Sequence, residues 1–97
     1  MIGLILIVLT QASLVIDLQG DSFDTQVHRY DWLLIEFYAT WCPHCKAMMP
    51  IYERAAAMLA KKNKQVARLD APENPKLSER FEIVGYPTMI LFKDGVE

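Results

Sequence analysis

Apolar and polar residues along this chain alternate between the patterns of strands and helices. An almost unbroken apolar run at residues 33–38 predicts a buried central strand. Shorter runs of β-branched and aliphatic residues predict three further strands, at residues 13–18, 65–70 and 88–92. The two cysteines follow the central strand directly, where the periodicity changes to that of a helix.

The longest predicted helix follows at residues 42–62. Its apolar residues recur at helical spacing and its charges fall on the opposite face, which predicts one side packed on a core. Pro50 lies inside this helix and should kink it, because proline removes one backbone hydrogen bond. Two short helices are predicted at residues 23–29 and 76–81, and the sequence at 93–95, Lys-Asp-Gly, is a hairpin turn signal. The predicted buried positions of the long helix are Met48, Ile51, Tyr52, Ala55, Met58 and Leu59.

The first nine residues are uncharged and almost all aliphatic. They are too few to span a bilayer, which takes about 20 residues. We interpret residues 1–12 as a secretory signal, cleaved before Ser13, although it has no basic residue at its start. The mature domain would then be residues 13–97. The alternative is that residues 4–8 form a buried strand.

Composition limits the classes of protein to consider. The chain has 97 residues, 53% of them hydrophobic, and a formal charge of −2. This is enough for one domain with a core, and the absence of a basic stripe argues against nucleic-acid binding. The two cysteines are too few and too close together to staple a fold.

The chain ends two residues after the hairpin signal. A hairpin needs a returning strand, so we expect the sequence to be a fragment or a domain short of its last strand and helix. Residues 13–97 alone should then unfold non-cooperatively or aggregate, because an apolar edge strand is exposed. A membrane anchor would be possible only beyond Glu97.

Several short motifs together resemble a known family. In order along the chain they are Glu-Phe-Tyr-Ala at 36–39, Trp-Cys at 41–42, Cys-Lys at 45–46, Pro50, Leu-Asp-Ala at 69–71, Gly-Tyr-Pro-Thr at 85–88 and Phe-Lys-Asp-Gly at 92–95. Their order and spacing resemble a thioredoxin-fold domain and, more closely, a catalytic domain of the protein disulfide isomerase family. The resemblance covers roughly residues 14–95. It implies an α/β fold with a central mixed sheet flanked by helices.

The cysteine pair is the predicted redox centre. Cys42 lies at the helix N-terminus, which stabilises a thiolate, and with its sulfur expected to be exposed it is the predicted nucleophile. Cys45, one turn inward, is the predicted resolving thiol. His44 could donate a hydrogen bond to the Cys42 thiolate or act as a local positive charge, or it could be a plain surface residue. The Pro-His dipeptide is similar to that of strongly oxidising bacterial periplasmic enzymes, whereas the isomerases usually carry Gly-His.

Three further positions take roles from the resemblance. Glu36, a carboxylate in an apolar strand, should have a raised pKa and would relay protons to and from Cys45; it could instead form an ion pair with no catalytic role. Arg68 stands where the isomerases have a lysine that pairs with this glutamate, which implies a Glu36–Arg68 ion pair. The Tyr86–Pro87 bond would be cis and lie against the cysteines.

The substrate-binding surface would comprise Trp41, Tyr86 and Pro87. There the Tyr86 backbone would pair with an extended substrate, and Trp41 would offer an apolar surface to unfolded chains. Cys42, His44 and Cys45 are too few ligands for a tetrahedral zinc site, so we predict no metal and no cofactor.

These observations and the resemblance predict a thiol–disulfide oxidoreductase of the protein disulfide isomerase type in the secretory pathway, in the endoplasmic reticulum lumen. Its partners would be unfolded or partly folded cysteine-containing secretory proteins and a redox partner, either glutathione or an oxidase. The alternatives are a disulfide reductase of the thioredoxin type, a chaperone-like binding module and a membrane-tethered member of the family.

Overall fold

A computed structural model of the protein describes residues 13–97. The predicted signal at residues 1–12 lies outside the described residues and stays a prediction. No helix in the described part of the chain is both long enough and apolar enough to cross a membrane.

A mixed sheet forms the centre of the fold. Strands β1 (Ile16–Asp17), β2 (Trp32–Tyr38), β3 (Gln65–Asp70) and β4 (Thr88–Lys93) are arranged in the order β1-β3-β2-β4. The first three strands are parallel, and β4 is antiparallel to β2. The sequence therefore predicted all four strands and the central place of β2. The first strand is much shorter than its apolar run suggested.

Three α-helices flank this sheet in the described residues: α1 (Phe23–Val27), preceded by a 3₁₀ turn at Gly20–Ser22, α2 (Pro43–Ala60) and α3 (Pro75–Arg80). Side chains alternate between the two faces of the sheet. One face of β2 packs with Phe23 of α1 and Phe81 after α3, and the other packs under α2. This is the thioredoxin fold that the motifs implied.

Helix α2 buries less of its apolar face than the periodicity predicted. Tyr52 and Ala56 are buried against the sheet, and Met48 and Leu59 pack at their edge. Ile51 and Met58, which were predicted to be core residues, are instead 59% and 69% exposed. The apolar face of α2 is therefore wider than the part of it that packs on the sheet.

The predicted turn after β4 is present. Asp94 and Gly95 have φ angles of 52° and 82°, the left-handed pair that a two-residue hairpin turn requires. Lys93 and Val96 exchange two backbone hydrogen bonds across the turn, of 2.7 and 3.0 Å. A side chain at Gly95 would collide with the His28 ring, which lies 2.5–3.0 Å from the position of its Cβ.

Candidate active site

Cys42 is the N-cap of α2. The strand-to-helix connection places its sulfur in front of the first turn, where it accepts the Cys45 backbone N–H at 3.2 Å. Pro43 follows at the first helical position, where its missing N–H has no helical acceptor in any case. The Cys45 N–H and the start of the helix thus present positive partial charges to this sulfur.

Both thiols are buried. Cys42 is 4% and Cys45 is 3% exposed, so the expectation of an exposed Cys42 sulfur was wrong. The Tyr86–Pro87 segment lies opposite and covers the sulfur. The Cys42 Sγ lies 3.6 Å from the carbonyl oxygen of Tyr86, to which it donates. Burial, and next a hydrogen bond with Cys42, raise the pKa of Cys45 to about 11. The two cysteines therefore differ in their polar contacts rather than in their exposure.

The Tyr86–Pro87 segment forms a ledge over the Cys42 sulfur. The peptide bond between the two residues is cis, the geometry that the resemblance implied. Trp41 is 64% exposed, and its ring meets the Tyr86 ring edge-on, with centroids 5.5 Å apart. The three residues predicted to bind substrate thus lie together beside Cys42, with an aromatic surface facing solvent.

Glu36 is the only charged residue among the buried residues of the described chain. It is 0% exposed, and neither carboxyl oxygen has a hydrogen-bond partner among the described residues. Burial raises the pKa of Glu36, and the nearby Arg68 charge opposes that shift. The carboxyl group is near enough to Cys45 for its charge to contribute to the raised pKa of that thiol. A proton on Glu36 is therefore favoured beside the inner cysteine.

The predicted ion pair between Glu36 and Arg68 is not formed. The register is as expected, because Arg68 is the direct neighbour of Glu36 across β2 and β3. The guanidinium instead binds Asp17 on β1, with 2.5 Å between Nε and Oδ1, and its Nη1 lies 3.5 Å from the Met49 sulfur. Arg68 thus has two acidic neighbours and pairs with the outer one.

His44 is exposed on the first turn of α2. Its ring takes part in none of the hydrogen bonds found between described residues, so the proposed bond to the Cys42 sulfur is not present. An electrostatic effect of His44 on the cysteine stays a prediction. The described residues contain no group of three or more histidine, cysteine or acidic side chains that could hold a metal.

Sequence reasoning missed two polar contacts behind the cysteines. Tyr52 was predicted only as an apolar position, yet its hydroxyl donates to Ala67 O at 2.6 Å and lies 3.2 Å from Leu34 O, which ties α2 to two strands. Asp17 was not considered at all. Its place beside Arg68 follows from the pairing of β1 with β3, and no local signal in the sequence gives that register.

Comparison with known proteins agrees with this geometry. The thioredoxin family model matches residues 14–97. Mouse protein disulfide-isomerase A4 is 44% identical over 82 residues, which cover 82% of this chain and 13% of that protein. The chain spans between 12% and 17% of the length of eight curated isomerases that it matches.

Solved structures give the same result. The first thioredoxin domain of mouse protein disulfide-isomerase A4 superposes with a TM-score of 0.78 at 36% identity, over 89% of this chain and 63% of that one. Mitochondrial thioredoxin 3 of Saccharomyces cerevisiae superposes with a TM-score of 0.73 at 31% identity, over 84% of this chain and 76% of that one. The chain therefore belongs to the thioredoxin family, with a domain that matches those of the protein disulfide-isomerases.

Proposed function

We propose that the protein is a thiol–disulfide oxidoreductase of the protein disulfide isomerase type, which forms or rearranges disulfides through Cys42 and Cys45. The observation that carries the proposal is the position of the Cys42 sulfur. It accepts a backbone N–H at the start of α2 and lies against the Tyr86 carbonyl. A sulfur in this position accepts a hydrogen bond at the start of a helix and faces the surface on which an extended peptide would lie.

Oxidation of a substrate takes two exchanges. A substrate thiolate attacks Cys42 of the Cys42–Cys45 disulfide, the S–S bond breaks, and Cys45 leaves with the bonding electrons as a thiolate. Glu36 supplies the proton that Cys45 then takes up, because the pKa of this buried thiol is raised. A second substrate thiolate attacks the substrate sulfur of the mixed disulfide and releases Cys42. The substrate has lost two electrons, and the protein holds the Cys45 thiol and the Cys42 thiolate, which takes a proton from water.

A redox partner must then reoxidise the pair. A small disulfide such as oxidised glutathione, or a protein oxidase, would accept the two electrons. We propose that the protein acts in the secretory pathway, in the endoplasmic reticulum lumen, with unfolded or partly folded cysteine-containing secretory proteins as substrates. The aliphatic N-terminus and the isomerase relatives support this placement. Pro-His between the cysteines supports net oxidation.

Refolding of a reduced or scrambled disulfide protein tests the proposal. We expect the full chain to restore the native disulfides in a glutathione buffer and Cys42→Ser to lose this activity. Cys45→Ser should instead accumulate a mixed disulfide between Cys42 and the substrate, visible on a non-reducing gel. Wild-type protein that accelerated refolding no more than Cys42→Ser would contradict the proposal.

A reductase of the thioredoxin type is the second candidate, favoured by the match to a yeast mitochondrial thioredoxin. The reduction potential of the Cys42–Cys45 pair against glutathione separates the two. Thioredoxin lies at about −270 mV and protein disulfide isomerase at about −180 mV. We expect a value near the isomerase, and a value near thioredoxin would favour the reductase.

A further inference from the structure

Three charged residues lie side by side on adjacent strands of the sheet. Asp17 on β1 and Glu36 on β2 are both direct register neighbours of Arg68 on β3. Register neighbours in parallel strands project from the same face, which here is the face covered by α2. One cation is therefore within reach of two carboxylates, and only one of the two is a candidate for proton transfer.

The guanidinium is engaged by the outer carboxylate. Its Nε lies 2.5 Å from Asp17 Oδ1, and the two side chains are 27% and 57% exposed. The Tyr38 ring lies under the same group, 5.4 Å from Arg68 Cζ. The fully buried Glu36 oxygens, by contrast, have no hydrogen-bond partner among the described residues. A buried, unpartnered carboxyl group beside a cation that binds elsewhere needs a reason.

We propose that Asp17 is a positioning residue that holds the Arg68 guanidinium at the surface of the sheet and so keeps this cation away from Glu36. The inference rests on the proposed function, in which Glu36 gives a proton to the leaving Cys45. A guanidinium in contact with Glu36 would favour the carboxylate, which has no proton to give. Asp17 thus preserves the protonated form without touching the reacting sulfur.

The remaining neighbours of Glu36 do not replace this effect. Cys45 and Tyr52 face it from α2, and Tyr38 lies two residues along its own strand; all three are neutral in their protonated forms and sense the Glu36 charge. On β4 the register neighbour is the uncharged Met89. Among residues 13–97, Arg68 is the one cation found to act on Glu36. It lines a cavity of about 390 Å³ together with Cys45.

Titration of the Glu36 carboxyl group by ¹³C NMR in the reduced full chain tests the proposal. In Asp17→Asn the freed guanidinium can turn to Glu36, and we expect the acid dissociation constant of Glu36 to rise about tenfold. In Arg68→Gln it should fall below the wild-type value. Asp24→Asn is the matched control, because it removes the other exposed aspartate–arginine pair, Asp24–Arg80, and should leave the titration unchanged.

The double variant separates positioning from the direct charge of Asp17. If Asp17 acts through Arg68, Asp17→Asn should change the dissociation constant less than about twofold in the Arg68→Gln background. An equal change in both backgrounds, or no change in the single variant, would overturn the inference. Circular dichroism establishes that each variant is folded.

The chemical step distinguishes this inference from the proposed function. We expect reduction of the Cys42–Cys45 disulfide by dithiothreitol to slow in Asp17→Asn relative to wild type, increasingly so as the pH rises. A shifted Glu36 titration would support the role of Asp17 in positioning Arg68. If the pH dependence of the reduction rate were unchanged at the same time, proton transfer by Glu36 would be refuted. An unshifted titration in an active protein would refute the role of Asp17 alone.

Discussion

At the scale of single residues, burial of the Glu36 carboxyl group costs free energy of folding. Its carboxyl group is removed from water and has no hydrogen-bond partner among the described residues, and its ionisation would place a charge in the interior. Such groups persist where function uses them, and here the group lies behind the cysteine pair. The cost should be visible in the stability of the protein.

Glu36→Gln is expected to stabilise the protein in a pH-dependent way. The pKa of Glu36 is raised above its ordinary value of 4.5, so the folded state binds this proton more tightly than the unfolded state. The wild-type free energy of unfolding is therefore at its full value below about pH 4.5. It falls as the pH rises through the raised pKa of Glu36 in the folded state. Glutamine does not ionise, so the gain should be near zero at low pH and on the order of 1 kcal/mol or more at neutral pH.

Urea unfolding of both proteins at two pH values, one below 4.5 and one near neutrality, measures this difference. Glu79→Gln on the exposed side of α3 serves as the control and should show no comparable pH dependence. A gain of equal size at both pH values would mean that burial of the charge is not its source.

At the scale of elements, α2 follows Cys42, contains Cys45, and is joined to the sheet by the Tyr52 hydroxyl. The Tyr52 hydroxyl lies between carbonyl groups of β2 and β3, at Leu34 and Ala67. Tyr52 lies further along α2 than Cys45. Its hydroxyl would therefore affect the position of the sulfurs through the backbone of the helix rather than by direct contact.

Tyr52→Phe should therefore lower the free energy of unfolding by about 1–2 kcal/mol, the usual worth of such hydrogen bonds. Chemical denaturation measures the loss. Tyr30→Phe is the matched control, because the Tyr30 hydroxyl makes no hydrogen bond to another described residue, and it should change stability by less than about 0.5 kcal/mol. Similar losses of stability in the two variants would argue against a stabilising role for the Tyr52 hydrogen bonds.

The hairpin after β4 gives a second prediction at this scale. Gly95→Ala forces a side chain into a left-handed conformation and against the His28 ring, so we expect a loss of about 1 kcal/mol or more. Gly85→Ala adds the same methyl group where no atom lies within 4 Å and should be nearly neutral. Thermal unfolding of both variants tests the pair, and equal melting temperatures would contradict it.

Sequence patterning predicted elements better than contacts. Strand β2 and helix α2 were predictable because their apolar runs are long, and the cysteine motif fixed the junction between them. The partner of Arg68 was not, since two acidic residues adjoin it and only side-chain direction decides between them. Ile51 was wrongly predicted to be a core residue. Periodicity shows which side of a helix is apolar, but not how much of that side the sheet covers.

At the scale of the whole molecule, several exposed apolar side chains lie on α2 or on the side of the sheet that α2 covers. Ile51 and Met58 project from α2, and Met89 and Leu91 of β4 pair with strand residues that face the same helix. Exposed apolar residues grouped in this way favour association between molecules.

We expect the Ile51→Lys, Met58→Lys double variant to stay monomeric at concentrations where the wild type associates. Light scattering across a dilution series measures this. Val84→Lys is the control, because Val84 is 99% exposed and lies in the loop before β4, on neither of these two elements. A wild type that is monomeric throughout, or a control that is equally effective, would contradict the prediction.

The burial of both cysteines also restricts the shape of any partner. With Cys42 only 4% exposed beneath Tyr86, a partner sulfur can reach it only on a segment thin enough to enter beside that ledge. A disulfide held rigidly inside a finished protein could not make this approach, whereas a cysteine on a loose, extended segment could. In the proposed function, access to Cys42 would thus favour unfolded over folded substrates.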